Sequence, residues 1–534
     1  MAKRLPVIFF IVIGIIIFLI AGFCLTLFLA PGLSVFGLKY IRSNVHEVAT
    51  GMYPVSNTQA FVGSEPFQGN LIVETDEVPI NIIYSQGREY IFQYYDNFDG
   101  FTTSKIEDPT ITISKTANGE AYIKTTEYKK FVYESSSSER YLNIYIPLVF
   151  AGGDGAYSRN LTIISKSAPI TFTREDHTED IRVPSHNKLT IQTESSKIIY
   201  YTNVRATTLS YTTNNSIRLF GDANKELFAT HYELESKRGN ITIKGDVVGN
   251  VNATTKNGYI ALKNCKNLIA KTTFGDIMSA NKNEEISIVG IVDITTKAGA
   301  VKLGDVNGNG ENKITTSGGS ISINKIKELT ATTKRGSVTI KSVDTATITT
   351  NIGKITVEEA LTKIVATTKR GNIVIGGEGL TVSNPYIRSE LGTVTLKTAT
   401  GIVDIKTGKG KVDFKNKDSQ DITIISGGNL VASNVTGKVN ITAHKSVDVA
   451  FTKITDETIV NLEDTCKFAK FTANLNTKKD TKYFLKGLDC VLFEDEGKAQ
   501  FGNVVEPDQQ VDSPANIVVE GKNAVIHLYF KLAA

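Results

Sequence analysis

Asp305, Asn307, Asn309 and Gly310 reproduce the first half of a calcium loop, in which alternate oxygens converge on a hard cation and a glycine permits the sharp turn. The twelfth position, where a bidentate glutamate would complete the shell, is Thr316, so the segment reads as a Gly/Asn-rich turn. The Gly-Lys of TGKV at 436–439 fails as a phosphate loop, because Ala432 stands where the first glycine is required and Val439 where a hydroxyl should hold the metal. His46, His177, His186, His231, His444 and His527 share no HxxxH or HExxH spacing, and no GxSxG nucleophile elbow occurs. These residues predict no catalytic centre, no cofactor site and no metal site. The chemistry that does recur is positive charge. Lys237, Arg238, Lys256, Lys297, Lys334, Arg335, Lys369 and Arg370 each stand one or two places ahead of a glycine. On stacked turns they would form an interrupted basic ladder for an anionic ligand, its attraction weakening with salt.

That ladder depends on a repeat. The glycines are Gly239, Gly258, Gly275, Gly299, Gly319, Gly336, Gly353, Gly371, Gly392 and Gly410, spaced 17 to 24 residues apart, in phrases such as KRGNITI, KNGYIAL and KRGSVTI. Two residues after the glycine every copy has Ile or Val, and five before it every copy has Leu, Ile or Ala. Three before it stands Ser or Thr in every copy. Period two on both sides of a fixed glycine means strand, tight turn, strand, with one face of each strand buried. A unit of about 19 residues cannot bury its apolar face alone, so successive units must stack. The predicted fold is all-β: a parallel β-solenoid, or β-helix, of about ten or more rungs, preceded by a β-rich module and an N-terminal transmembrane helix. Glycine at the corner would serve a positive φ or the close approach of the next rung. The Ser/Thr column shares the parity of the buried column, so its hydroxyls should point inward and satisfy one another and the turn amides.

The outward columns limit function further. None collects Asp or Glu as a solenoid glycan lyase or hydrolase would need, and outward Thr-x-Thr pairs are too sparse for an ice-binding face. Twelve of the twenty tyrosines fall between Tyr40 and Tyr157, which reads as cross-strand packing on the outer side of a sheet. Cys466 and Cys490 could pair in an oxidising compartment, or remain reduced and buried, while Cys265 would stay alone.

The sequence divides into an apolar anchor at 1–30, a tether at 31–60, a β-rich N-terminal module at 61–180, solenoid repeats at 181–450 and a C-terminal β capping region at 451–534. From Leu5 to Ala30 there is no charged residue, a run long enough to span a bilayer as a helix. Phe28 and Pro31 argue against signal cleavage, and Lys3 and Arg4 favour a cytoplasmic N-terminus, leaving the rest of the chain extracytoplasmic. The net charge is only +4, without the concentrated basic face of a nucleic-acid binder.

The phrases IYIP with LTIISKSAPITF, IRVP with LTIQTESSKIIY, and the serial TTKRGSVTIKSV units resemble the toast-rack-like adhesin family, a bacterial β-solenoid domain family of unknown function. The likeness covers about residues 140 to 450. It implies an envelope protein, often behind an N-terminal anchor, and it carries over no catalytic residues. The expected function is a single-pass cell-membrane protein whose extracytoplasmic solenoid has a binding, adhesion or structural role without catalysis. The alternatives are an envelope-stress sensor or regulator, and a glycan-processing β-helix enzyme. Expected partners are the membrane, through the N-terminal helix, and an anionic envelope polymer, a glycan or another envelope protein, with no nucleic acid.

Overall fold

The computed structural model describes residues 12–22 and 25, the strands between 34 and 67, residues 70–219 and 227–474 apart from short connecting segments, and the strands between 483 and 531. The chain forms two compact units, Met1–Gly249 and Asn250–Ala534. Each unit carries turns of a parallel β-solenoid, about 14 in all over residues 185–472.

In the first unit, two ladders face one another. One runs in parallel register from Ala121–Thr126 through Leu71–Thr75, Asn160–Ser165, Ser185–Thr193 and Val204–Thr213 to Leu227–Ser236. The other begins antiparallel, Glu47–Ser56 against Glu89–Asn97 against Glu139–Pro147. It then turns parallel through Ile80–Ser85, Ile170–Arg174 and Ile198–Tyr200. Alternate residues point into the space between the ladders, so Leu71, Val73, Ile80, Ile82, Ile170 and Phe172 are buried while their neighbours are not. Tyr84, Tyr90 and Tyr94 also face this core, so the expectation that the tyrosines lie on the outer side holds only in part. Tyr95 and Tyr141 do pair outside, with rings stacked 5.2 Å apart.

The core of this unit contains buried charge. Arg140 Nε donates to Asp96 Oδ1 at 3.1 Å, and its Nη2 lies 3.4 Å from Glu127 Oε2. Glu127 also accepts from the main-chain N–H groups of Asp76 and Glu77, and Asp96 accepts from Tyr94 Oη at 2.6 Å. Burial pushes the Glu127 carboxyl above its ordinary range, with Arg140 and the main-chain donors pulling the other way.

The second unit repeats one rung. In its middle the rungs are single long strands, Ile321–Thr333, Val338–Thr350 and Ile355–Thr368, paired in parallel so that Ile323, Ile340 and Val357 stack, as do Ala331, Ile348 and Ala366. All six are buried, as the inward columns predict. The Ser/Thr column is buried as well. Its hydroxyls accept from the glycine amides three residues on, for example Gly336 N–H to Thr333 Oγ1 at 2.9 Å and Gly353 N–H to Thr350 Oγ1 at 3.0 Å. The hydroxyls therefore cap the turns, and a hydroxyl-to-hydroxyl contact occurs earlier in the chain, Thr193 to Thr213 at 3.0 Å.

The repeating glycines are set by proximity rather than by a left-handed backbone. None of them has positive φ, whereas a Cβ at Gly353 would lie 1.8 Å from the carbonyl oxygen of Gly336 one rung below. Only hydrogen fits there.

Beyond the array, Thr458–Leu462 pairs with Ile517–Glu520 and Phe468–Asn474 with Val525–Lys531, all in parallel. The intervening Cys490–Asp495 lies against Val525–Lys531 and forms an antiparallel hairpin with Lys498–Gly502. This hairpin departs from the parallel pairing of the array.

Residues 12–22 form a helix. Among the described residues no helix is long and apolar enough to cross a membrane, and the rest of the Leu5–Ala30 run, apart from residue 25, lies outside them.

Candidate functional site

Each corner of the repeat leaves the stack after its buried Ser or Thr and returns at its glycine, so the two residues between must project outward. A main-chain ladder fixes their columns. Arg335 N–H donates to Ser317 O, Ile352 N–H to Lys334 O, Arg370 N–H to Asn351 O, Leu391 N–H to Lys369 O and Lys409 N–H to Glu390 O, at 2.7 to 3.1 Å. Each corner is hydrogen-bonded to the one below it, and side chains in one column are neighbours at the rung spacing of about 4.8 Å.

The sequence-predicted residues are exposed at these corners. Lys237 and Arg238 belong to the first unit; Lys256, Lys297, Lys334, Arg335, Lys369 and Arg370 belong to the second. In the second unit the first outward column reads Lys256, Thr273, Lys297, Ser317, Lys334, Asn351, Lys369 and Glu390. A lysine therefore stands on every second rung up to Lys369, about 10 Å from the next. That spacing is close to the Debye length at 0.1 M salt, so the fields of neighbouring lysines overlap in dilute buffer and separate in concentrated buffer.

The second outward column carries information that counting basic residues misses. From Arg335 it reads Arg335, Ile352, Arg370, Leu391 and Lys409, cation and aliphatic in turn. Ile352 and Leu391 are about half exposed, at 51% and 49%. The corner is thus an amphipathic stripe: it offers spaced cations for oxyanions and, between them, apolar side chains for the carbon surface of the same ligand. The signal was present as large aliphatics at turn positions where polar residues are the rule.

Other sequence candidates serve the fold. Asp305 Oδ1 accepts from Asn324 Nδ2 at 2.7 Å, and Asn309 Oδ1 accepts from Lys327 Nζ at 2.5 Å, so these two oxygens of the half calcium loop hold protein donors from the next rung. Gly310 supplies a φ of +141° to the turn. Cys265 is a buried free thiol, pushed up to about 12 by desolvation. Cys466 is likewise buried and free, and donates to the carbonyl oxygens of Lys445 and Phe468. The side chain of Cys490 lies outside the described residues. His186 Nε2 is 2.8 Å from Tyr84 Oη in the core. His46, His177 and the side chain of His527 lie outside the described residues.

No protein-family model matches this chain, and no match is found among curated proteins or solved structures.

Proposed function

We propose that this protein is a single-pass cell-membrane protein whose extracytoplasmic β-solenoid binds an anionic ligand of the cell envelope along its basic corner, without chemistry of its own. The reading includes kinship with the toast-rack-like adhesin family. The observation that carries it is the corner of the second unit, where Lys334 and Arg335, then Lys369 and Arg370, are held in line by main-chain hydrogen bonds with Ile352 between them. An oxyanion-bearing chain lying along the stack would meet a cation about every 10 Å. Such a contact is multivalent, so individually weak attractions add as long as the ligand spans several rungs.

The anchor rests on the N-terminal helix. Ile15, Ile16, Ile17, Phe18, Leu19 and Ile20 point in all directions around it and are each about half or more exposed. A helix that is apolar all round needs an apolar surround, and a bilayer supplies one if the helical conformation continues through the uncharged run from Leu5 to Ala30.

The test compares the wild-type chain with a variant in which Lys334, Arg335, Lys369 and Arg370 are all changed to Gln. Retention is measured on lipid-extracted envelope polymer and on vesicles with and without anionic lipid, at low and high salt. The expected result is wild-type retention that falls with salt and is lost in the variant. The polymer and vesicle arms tell which source presents the anionic groups. Equal retention of the two proteins at both salts on every surface would overturn the proposal.

A further inference from the structure

A second feature lies in the first unit, where one of the two ladders is interrupted. The ladder through Ser185–Thr193, Val204–Thr213 and Leu227–Ser236 is continuous. On the opposite face, Ile198–Tyr200 pairs back to Ile170–Arg174, and Ile217–Arg218 pairs forward to Ile241–Ile243. No pairing joins Ile198–Tyr200 to Ile217–Arg218 among the described residues. The break coincides with a change in the corner. Four residues separate Ser165 from Ile170, Thr193 from Ile198 and Ser236 from Ile241, but only Asn214, Asn215 and Ser216 separate Thr213 from Ile217.

Among the described residues, both strand edges at the break carry main-chain groups without a partner strand. Lys197 O and Tyr201 N–H are bonded to the strand below, so alternation turns the N–H and C=O of Ile198 and Tyr200 toward the break. Ile217 N–H and Leu219 N–H are bonded to the strand above, so those of Arg218 face the break from the other side. Between the edges lies a cavity of about 520 Å³. Its lining includes Lys197, Arg218 and Arg238 and no carboxylate, and all three cations are exposed. Tyr200, which also lines it, keeps its Oη buried without a hydrogen-bond partner among the described residues. Among the described residues the chain thus leaves polar groups unpaired at this step of the ladder.

We propose that this slot accepts an extended, carboxylate-bearing peptide segment of a partner protein as an added strand. The main-chain groups of Ile198, Tyr200 and Arg218 give pairing on one or both edges, the mode of strand addition at an exposed sheet edge. Lys197, Arg218 and Arg238 select acidic side chains on the outward side of the added strand. A polyanion without main-chain amides would satisfy the charges and leave the strand edges open, and this difference makes the idea testable.

The probe is a fluorescent peptide of alternating valine and glutamate, about six residues long, titrated against the full chain in detergent and followed by anisotropy. Two companions carry N-methyl groups on alternate amides, or lysine in place of glutamate. The acidic peptide should bind, N-methylation on the pairing edge should weaken it at least about tenfold, and the double variant Arg218→Glu, Arg238→Glu should weaken it similarly. The lysine peptide should bind that variant better than it binds wild type, which shows that the variant is folded and the slot intact. Equal binding of the methylated and unmethylated acidic peptides would mean charge attraction alone and overturn the added strand. Absence of binding to the wild-type chain would overturn it as well.

Discussion

The two-sheet region at residues 70–200 and the regular array around residues 321–368 use the same inward-outward alternation, yet they are held by different forces. In the first, aromatic rings and a buried Arg140–Asp96–Glu127 cluster fill the space between facing sheets. In the second, aliphatic columns stack on themselves, and one hydroxyl per rung caps the turn. The first arrangement is specified by particular partners far apart in sequence, so a single deletion strands charged groups. The second is specified by position in a repeat, so each rung carries a similar small share of the stability.

Breaking the charged cluster should separate the regions most clearly. Arg140→Met removes the cation and leaves Asp96 and Glu127 buried, which is expected to cost about 3–5 kcal/mol. Thermal or denaturant melting should show the loss, and a change below about 1 kcal/mol would mean that the cluster is hydrated and resembles a surface pair. Within the array the corresponding insult is Ile340→Asp, which places a carboxylate among the buried Ile323 and Val357 and is expected to cost about 2–4 kcal/mol. Thr339→Asp, outward on the same strand, is expected to stay within about 0.5 kcal/mol. Equal shifts for the two would refute the inward-outward assignment. The smallest expected loss at a buried position concerns the corner. Thr350→Val keeps the shape but removes the acceptor of the Gly353 amide, and a loss of about 1–3 kcal/mol is expected. Faster hydrogen exchange at Gly353 would locate that loss, and an unchanged exchange rate would show that another group holds the turn.

The array was legible because each rung makes the same covalent demand. Apolar residues recurring on both sides of Gly336, Gly353 and Gly371 define strand, turn and buried face without knowledge of the rung below. The alternation of Lys297, Lys334 and Lys369 with Ser317 and Asn351 was also written in the columns, but it becomes a spacing only when stacking turns sequence order into distance. Arg140 was not legible, because its partners Asp96 and Glu127 lie 44 and 13 residues away in a region without a repeat. The interrupted ladder had one mark in the sequence, the shortened Asn214–Ser216 corner, whose meaning depends on which strands it fails to join.

By itself, the sequence determined the strand periodicity, the stacking of rungs, the inward hydroxyl column and the outward basic corner, since these follow from local alternation and the need to bury one face of each strand. The tertiary structure alone decided why glycine occupies the corner, which outward residues are neighbours, and where two strand edges stay apart. Those are properties of distance between rungs. The 1.8 Å that a Cβ at Gly353 would leave to Gly336 O, and the free edges of Ile198–Tyr200 and Ile217–Arg218, exist only once the chain has folded back upon itself.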